Sequence, residues 1–365
     1  MKRVIISENY TSINTTLVLA EGREPDPPAT IIIPANFELF KFLREINEKN
    51  FGNTLNLIYS EPYRSTMAGA RGIRRLLHVP VDIVRERRHL KRNYAKYLAE
   101  IQGCEVYFFS RGFSGTRYYL LKKLARRNKL VYVSHTQPSV TPISRHAPGN
   151  LAELVALVIM KLTYGRGIAM GKFFYPHGLP FIPDRFMERE VDRAITWEEK
   201  EAMMKDFDVG RFRVFDAGKY EAIYFGHEMG SETVADLDGV EKVLTGVTEI
   251  LLKHFPAERI AMKQHPLHRE EKTMLKAGDI LPSYIPAEFL RHQGVKVYLS
   301  PYSLAIVNIT DGRAISLANL IPVVSQERRE MLKELLVKQS RTEILFPETL
   351  EELDAMLVDA KRQKM

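Results

Sequence analysis

"EAIYFGHEM", residues 221–229, and "RIAMKQH", residues 259–265, are short apolar runs that end in polar or basic residues. Between them, Val240, Val243, Leu244, Val247, Ile250 and Leu251 recur at three- and four-residue spacing within residues 238–254, which places them on one helical face. A strand, a crossover helix and a second strand make one parallel unit. The surrounding chain repeats the pattern. "VKVYLS" (295–300) is a further strand, "AISLANLIPVV" (314–324) a strand or a buried turn, and "IPAEFLRHQ" (285–293) a short helix with Pro286 in its first turn.

The first half alternates in the same way. "RVIIS" (3–7), "TLVLA" (16–20), "TIIIP" (30–34), "LNLIYS" (55–60), "EVYFFS" (105–110) and "KLVYVS" (129–134) read as strands, with helices near 36–49, 81–102 and 115–127. Parallel strands with crossover helices predict a doubly wound α/β architecture. A chain of 365 residues exceeds what one core usually sustains. The expected organisation is therefore two Rossmann-like domains facing a cleft: residues 1–182, a crossover at 183–212, residues 213–345, and a C-terminal helix within 346–365. That helix presents Leu350, Leu353, Met356 and Leu357 on one side.

Composition narrows the class. Hydrophobic residues make up 45% and charged residues 27%, as in a soluble globular protein. The longest apolar helix, "LAELVALVIMKL" (151–162), capped by Asn150 and stopped by Gly165, is interrupted by Glu153 and Lys161 and is too short to span a bilayer. The amino terminus reads as a first strand, not a signal peptide. Cys104 is the single cysteine, so no internal disulfide forms. A cytoplasmic location is expected. The net charge of +8 calls for an anionic partner. It concentrates at Arg71, Arg74, Arg75, Arg85, Arg87, Arg88, Lys91 and Arg92, against only Asp82 and Glu86. This stretch is either a solvated helix face or a surface for an acidic acceptor or an anionic membrane, the second implying peripheral association at the inner face.

In open α/β sheets ligands bind beyond the carboxyl ends of the strands. That rule selects Gly226, His227, His265, Ser300 and Ser303 in the second half, and Ser110, Arg111, Ser134 and His135 in the first. No Gly-rich dinucleotide fingerprint, P-loop, H-E-x-x-H or paired C-x-x-C occurs. An order is visible in the remainder. Lys263, His265 and Pro266 close one strand, Glu288 follows 23 residues after the histidine, and Ser300 and Ser303 bracket Pro301-Tyr302. An imidazole can meet the charge of a departing phosphate, hydroxyls can hold its oxygens, and a carboxylate can accept both ribose hydroxyls. Such a set needs no metal or other cofactor. Each residue also has a plain structural reading: a turn at His265-Pro266, a favourable charge at a helix start for Glu288, an N-cap for Ser303.

"KQHP", "IPAE", the serines of "SPYS" and "ISLANL", within residues 258–320, resemble the donor-site signature of the bacterial sialyltransferase and polysialyltransferase superfamily. The resemblance implies a GT-B fold and a CMP-sialic acid donor. It implies that His265 contacts the CMP phosphate and assists its departure, that Glu288 binds the ribose, and that Ser303, with Ser300, binds the phosphate. Lys263, Pro266 and Gly226 complete the expected donor-binding set, and transfer would invert the anomeric centre onto an acidic or cell-surface glycan. One element of the family pattern is missing: no acidic-acidic-glycine motif exists, and the position after "KLVYV" reads Ser134-His135-Thr136. His135 is then the expected general base, with Asp216 and Asp311 as lesser options. A GT-B transferase using a UDP-sugar or CDP-glycerol, and a non-catalytic protein that holds an anionic polymer, are the competing readings. No nucleic-acid module is present, so nucleic acid is not an expected partner.

Overall fold

A strand without a polar face needs cover on both sides, and the apolar runs fold accordingly. The computed structural model describes residues 2–22, 27–63, 73–109, 115–133, 167–169, 187–226, 234, 236–264, 274–291, 293–309, 312–340 and 342–362. They divide into two compact units, Met1–Phe207 and Asp208–Met365. Each is an α/β unit built on a parallel six-stranded sheet.

In the first unit, β1 (Arg3–Ile6), β2 (Thr30–Pro34), β3 (Asn56–Ser60), β4 (Glu105–Phe108) and β5 (Lys129–Val133) are joined by a short edge strand, β8 (Arg193–Ile195), in the order β3-β2-β1-β4-β5-β8. Two further strands, β6 (Gly167–Ala169) and β7 (Met187–Glu190), pair only with each other. Ile5 of the central strand sits opposite Ile31 on one side and Tyr107 on the other. Helices α1 (Ile13–Glu21), α2 (Phe37–Phe51), α3 (Ile73–Glu100) and α4 (Gly115–Leu124) accompany these strands. Leu90 and Tyr94 of α3 and Leu120, Leu121 and Leu124 of α4 share one core with Val4, Ile6, Ile58, Val106 and Phe108. Asn36 caps α2 by accepting the Leu39 amide at 2.9 Å, and Gly52, at φ 54°, ends it.

Two sequence expectations are corrected here. "TLVLA" (16–20) is not a strand but lies inside α1, buried on almost every side. Parallel strands β1 and β2 require a crossover between them, and a strand at 16–20 would leave none. The second correction concerns residues 193–195, assigned to the interdomain crossover. They form β8, with Val131 opposite Arg193 and Val133 opposite Ile195.

The second unit repeats the design. Its sheet runs β12 (Asp279–Leu281), β11 (Ile260–Lys263), β10 (Ala222–Phe225), β14 (Val297–Ser300), β15 (Arg313–Ser316), β16 (Ile344–Leu345). After α5 (Trp197–Met204) of the first unit, the helices are α6 (Leu237–His254), α7 (Gln326–Gln339) and α8 (Leu350–Arg362). Helix α6 buries Val240, Leu244, Val247, Ile250 and Leu251, as its spacing predicts. The C-terminal helix packs against it: Leu353 and Leu357 are buried, and His254 and Lys253 reach Asp354 at 2.5 and 3.2 Å. "IPAEFLRHQ" is not an α-helix. It makes one 3-10 turn, Ala287–Phe289, then strand β13 (Leu290–Arg291) beside β9 (Phe215–Asp216). Phe289 and Leu290 are both buried, and consecutive buried residues suit a turn entering a strand better than one helical stripe. Among the described residues, no helix is long and apolar enough to cross a membrane.

A buried side chain joins two elements of the first unit. The Asn128 carbonyl accepts the Cys104 amide at 2.9 Å, while its amide donates to the carbonyls of Ile101 and Leu124 at 3.2 and 2.8 Å. Asn128→Ala leaves one donor and two acceptors buried without that partner, and should destabilise the first unit by about 3 kcal/mol. Denaturant unfolding followed by fluorescence of Trp197, the single tryptophan and part of that unit, measures it.

Candidate functional site

The strand order places one crevice in each sheet. In both, successive strands wind outward one way from the central strand and then the other, and ligands bind where the order reverses. For the second sheet this is between β10 and β14, which pair with Tyr224 opposite Leu299. The carboxyl ends there are Gly226 and Ser300, with Lys263 of β11 alongside: the Gly226 amide donates to the Lys263 carbonyl at 2.9 Å.

Ser300 is fully buried, and its hydroxyl accepts the Ser303 amide at 2.8 Å. It shapes the loop and is inaccessible to a ligand. Ser303 begins the 3-10 turn Leu304–Asn308, and its hydroxyl oxygen accepts the Ala305 amide at 3.2 Å. A hydroxyl used once as acceptor retains its proton and a further lone pair for a ligand. Ser316, at the end of β15, donates to the Pro301 carbonyl at 2.8 Å, and the Leu317 amide donates to the Ser300 carbonyl at 2.7 Å. The "SPYS" loop is thus held from the end of β15.

Lys263 is a buried cation, and its ammonium donates to the carbonyls of Gln264 and Ser283 at 2.8 and 3.1 Å. Its role in this arrangement is to tie the end of β11 to the loop after β12. Glu288 sits in the 3-10 turn beyond that loop, and this turn contacts the one that begins at Ser303. Burial pushes the Glu288 carboxyl above the ordinary glutamate range, opposed by its own backbone amide and by the positive charge of Lys263.

Gly226, Lys263, Glu288, Ser300 and Ser303 are therefore gathered at one end of one sheet. His265, Pro266, His135, His227 and Asp311 lie outside the described residues. Asp216 is elsewhere: it accepts the Gly218 amide at 2.8 Å in the turn that precedes β10. Ser316 was missed in the sequence, although a polar residue directly after an apolar run was the available signal. The same signal marks Glu8. It follows β1 at the first sheet's own reversal point, is paired with Arg117 of α4, and its backbone carbonyl accepts the Asn36 side chain at 3.2 Å.

No protein-family model matches the chain, and no curated protein matches it. Among solved structures, it is similar to Arabidopsis thaliana UGT89C1, with 10% identity, 100% of this chain and 90% of that one covered, and a TM-score of 0.41. An alpha/beta-galactoside alpha-2,3-sialyltransferase from Photobacterium phosphoreum is similar at 10% identity, with 96% and 98% covered and a TM-score of 0.40. LpCGTa in complex with UDP follows at 10% identity, 99% and 90% coverage and a TM-score of 0.38. At these scores the likenesses carry no argument, and function rests on the site.

The raised carboxyl has a measurable consequence. Between the ordinary glutamate value and the raised one, the unfolded chain is ionised while the folded chain keeps its proton, so stability falls as pH rises through that window. Glu288→Gln cannot titrate. Its melting temperature should exceed the parent's by an increment that grows from about pH 4 and levels off above the raised value. A parent and variant that differ equally at every pH would contradict this assignment.

Proposed function

We propose that the protein is a GT-B type glycosyltransferase that moves a sialic acid-like sugar from a CMP-activated donor to a glycan acceptor. One observation carries the reading: an approachable glycine, a partly accessible carboxylate and a hydroxyl, Gly226, Glu288 and Ser303, gather at the reversal point of the second sheet.

Gly226 lets the nucleotide approach the backbone, since no side chain stands in the way. Glu288 accepts the two ribose hydroxyls, and Ser303 donates to a phosphate oxygen. His265 follows directly on Lys263 and Gln264 at the end of β11. As an imidazolium it balances the charge that develops on the departing CMP. In the transfer step an acceptor hydroxyl oxygen bonds to the anomeric carbon as the bond from that carbon to the phosphate oxygen breaks. The electron pair leaves with CMP, the hydroxyl proton passes to the His135 imidazole, and the centre inverts. Side chains balance the charge of the leaving phosphate and take the hydroxyl proton, so the scheme requires no resident metal or other cofactor.

Thermal unfolding with CMP, UDP and CDP in parallel tests the donor. CMP should raise the melting temperature in proportion to the logarithm of its concentration, with UDP and CDP weaker. His265→Ala should lower kcat/KM about a hundred-fold or more while the fold persists, and Ser303→Ala should weaken CMP binding about ten-fold. A stronger response to UDP would replace the donor, and full activity in the His265 variant would end the mechanism.

A further inference from the structure

Helix α3 has a face that the first unit's core does not use. Opposite the buried Leu90 and Tyr94, helical spacing aligns Val81, Val84, Arg85, Arg88, Arg92 and Lys96 in one exposed stripe. The valines are 46% and 40% exposed within this row of cations. The two carboxylates of the stretch point elsewhere. Asp82 is buried and accepts the Tyr63 hydroxyl at 2.9 Å, and Glu86 is half-buried off the stripe.

Helix α4 packs on the opposite side of α3, against the core that Leu90 and Tyr94 join, and leaves the stripe uncovered. From Val81 to Lys96 the stripe is about 24 Å long. A lone charged row is commonly just a solvated helix face. Here two exposed valines stand among the arginines.

We propose that this face of α3 docks the protein on a bilayer containing anionic phospholipid, with Val81 and Val84 entering the interfacial layer. Clustered cations are attracted by the negative surface potential of such a bilayer, and each contributes roughly a five-fold factor in partitioning. The exposed valines add an apolar contribution that a soluble polyanion cannot receive. A single-stranded nucleic acid would be expected to use stacking aromatics among the cations, and no stripe position is aromatic. The proposal does not depend on the proposed nucleotide site, because every residue it uses lies on α3 of the first unit.

Co-sedimentation of the full chain with phosphatidylcholine vesicles, with and without about one-third phosphatidylglycerol, tests it. Binding should require the anionic lipid and fall steeply with salt. Joint substitution of Arg85→Gln, Arg88→Gln, Arg92→Gln and Lys96→Gln should weaken partitioning at least about a hundred-fold without altering the CMP-induced thermal shift. Val81→Ser with Val84→Ser should weaken it about ten-fold at unchanged salt dependence. Equal binding to neutral vesicles would overturn the proposal. So would parent-like binding by either variant, or displacement from the vesicles by polyuridylic acid at matched phosphate concentration.

Discussion

A central parallel strand covered on both faces has no place for a polar side chain except at its ends. Val4–Ile6 and Ala222–Phe225 are buried throughout, so the chemistry of both units is confined to the residues that follow their strands. The carboxyl-end hydroxyls show how narrow that allowance is. Ser300 and Ser316 are fully buried and hold the loop between them. Ser303, three residues beyond the strand, is the first hydroxyl in that loop with capacity left for a ligand.

Lys263, at the end of β11, is a buried cation, and it explains the position of Glu288. An ammonium removed from water must find acceptors, because isolated burial of a charge is prohibitive. Those acceptors are the carbonyls of Gln264 and Ser283, so the loop after β12 is pinned to the end of β11. The turn carrying Glu288 follows from that loop. The same cation moderates the carboxyl that burial raises. Lys263, expected from the sequence in the donor-binding set, thus also fixes the surroundings of Glu288.

Much of the fold was legible because parallel strands covered on both faces leave a simple mark, an apolar run with polar ends. The mark fails where a helix is buried all round: "TLVLA" has a strand's composition, and only the need for a crossover between β1 and β2 reveals α1. It fails again at "IPAEFLRHQ", where Pro286 reads equally as a helix start or as the residue before a single turn. Of the site, the strand-end rule found Gly226, Ser300 and Ser303. It could not tell a hydroxyl that faces a ligand from one consumed by its own loop, since that depends on the partner strand. Glu8 obeyed the same rule but belongs to no spaced set, and Ser316 lies within "ISLANL", where the motif alone assigns it no role.

The two reversal points share a topology but not a charge pattern. At the first, Glu8 is neutralised by Arg117, and both side chains are largely buried. At the second, Gly226 and the hydroxyl of Ser303 stand at the strand ends with the buried Lys263 alongside. The surplus of basic residues is therefore not what marks the second reversal point. In the first unit it is exposed on α3, on the side away from Leu90 and Tyr94. A row of exposed cations attracts a plane of anions with little regard to orientation, whereas one fixed charge at a strand end favours a single oriented anion. Each arrangement suits a different partner, and neither requires the other.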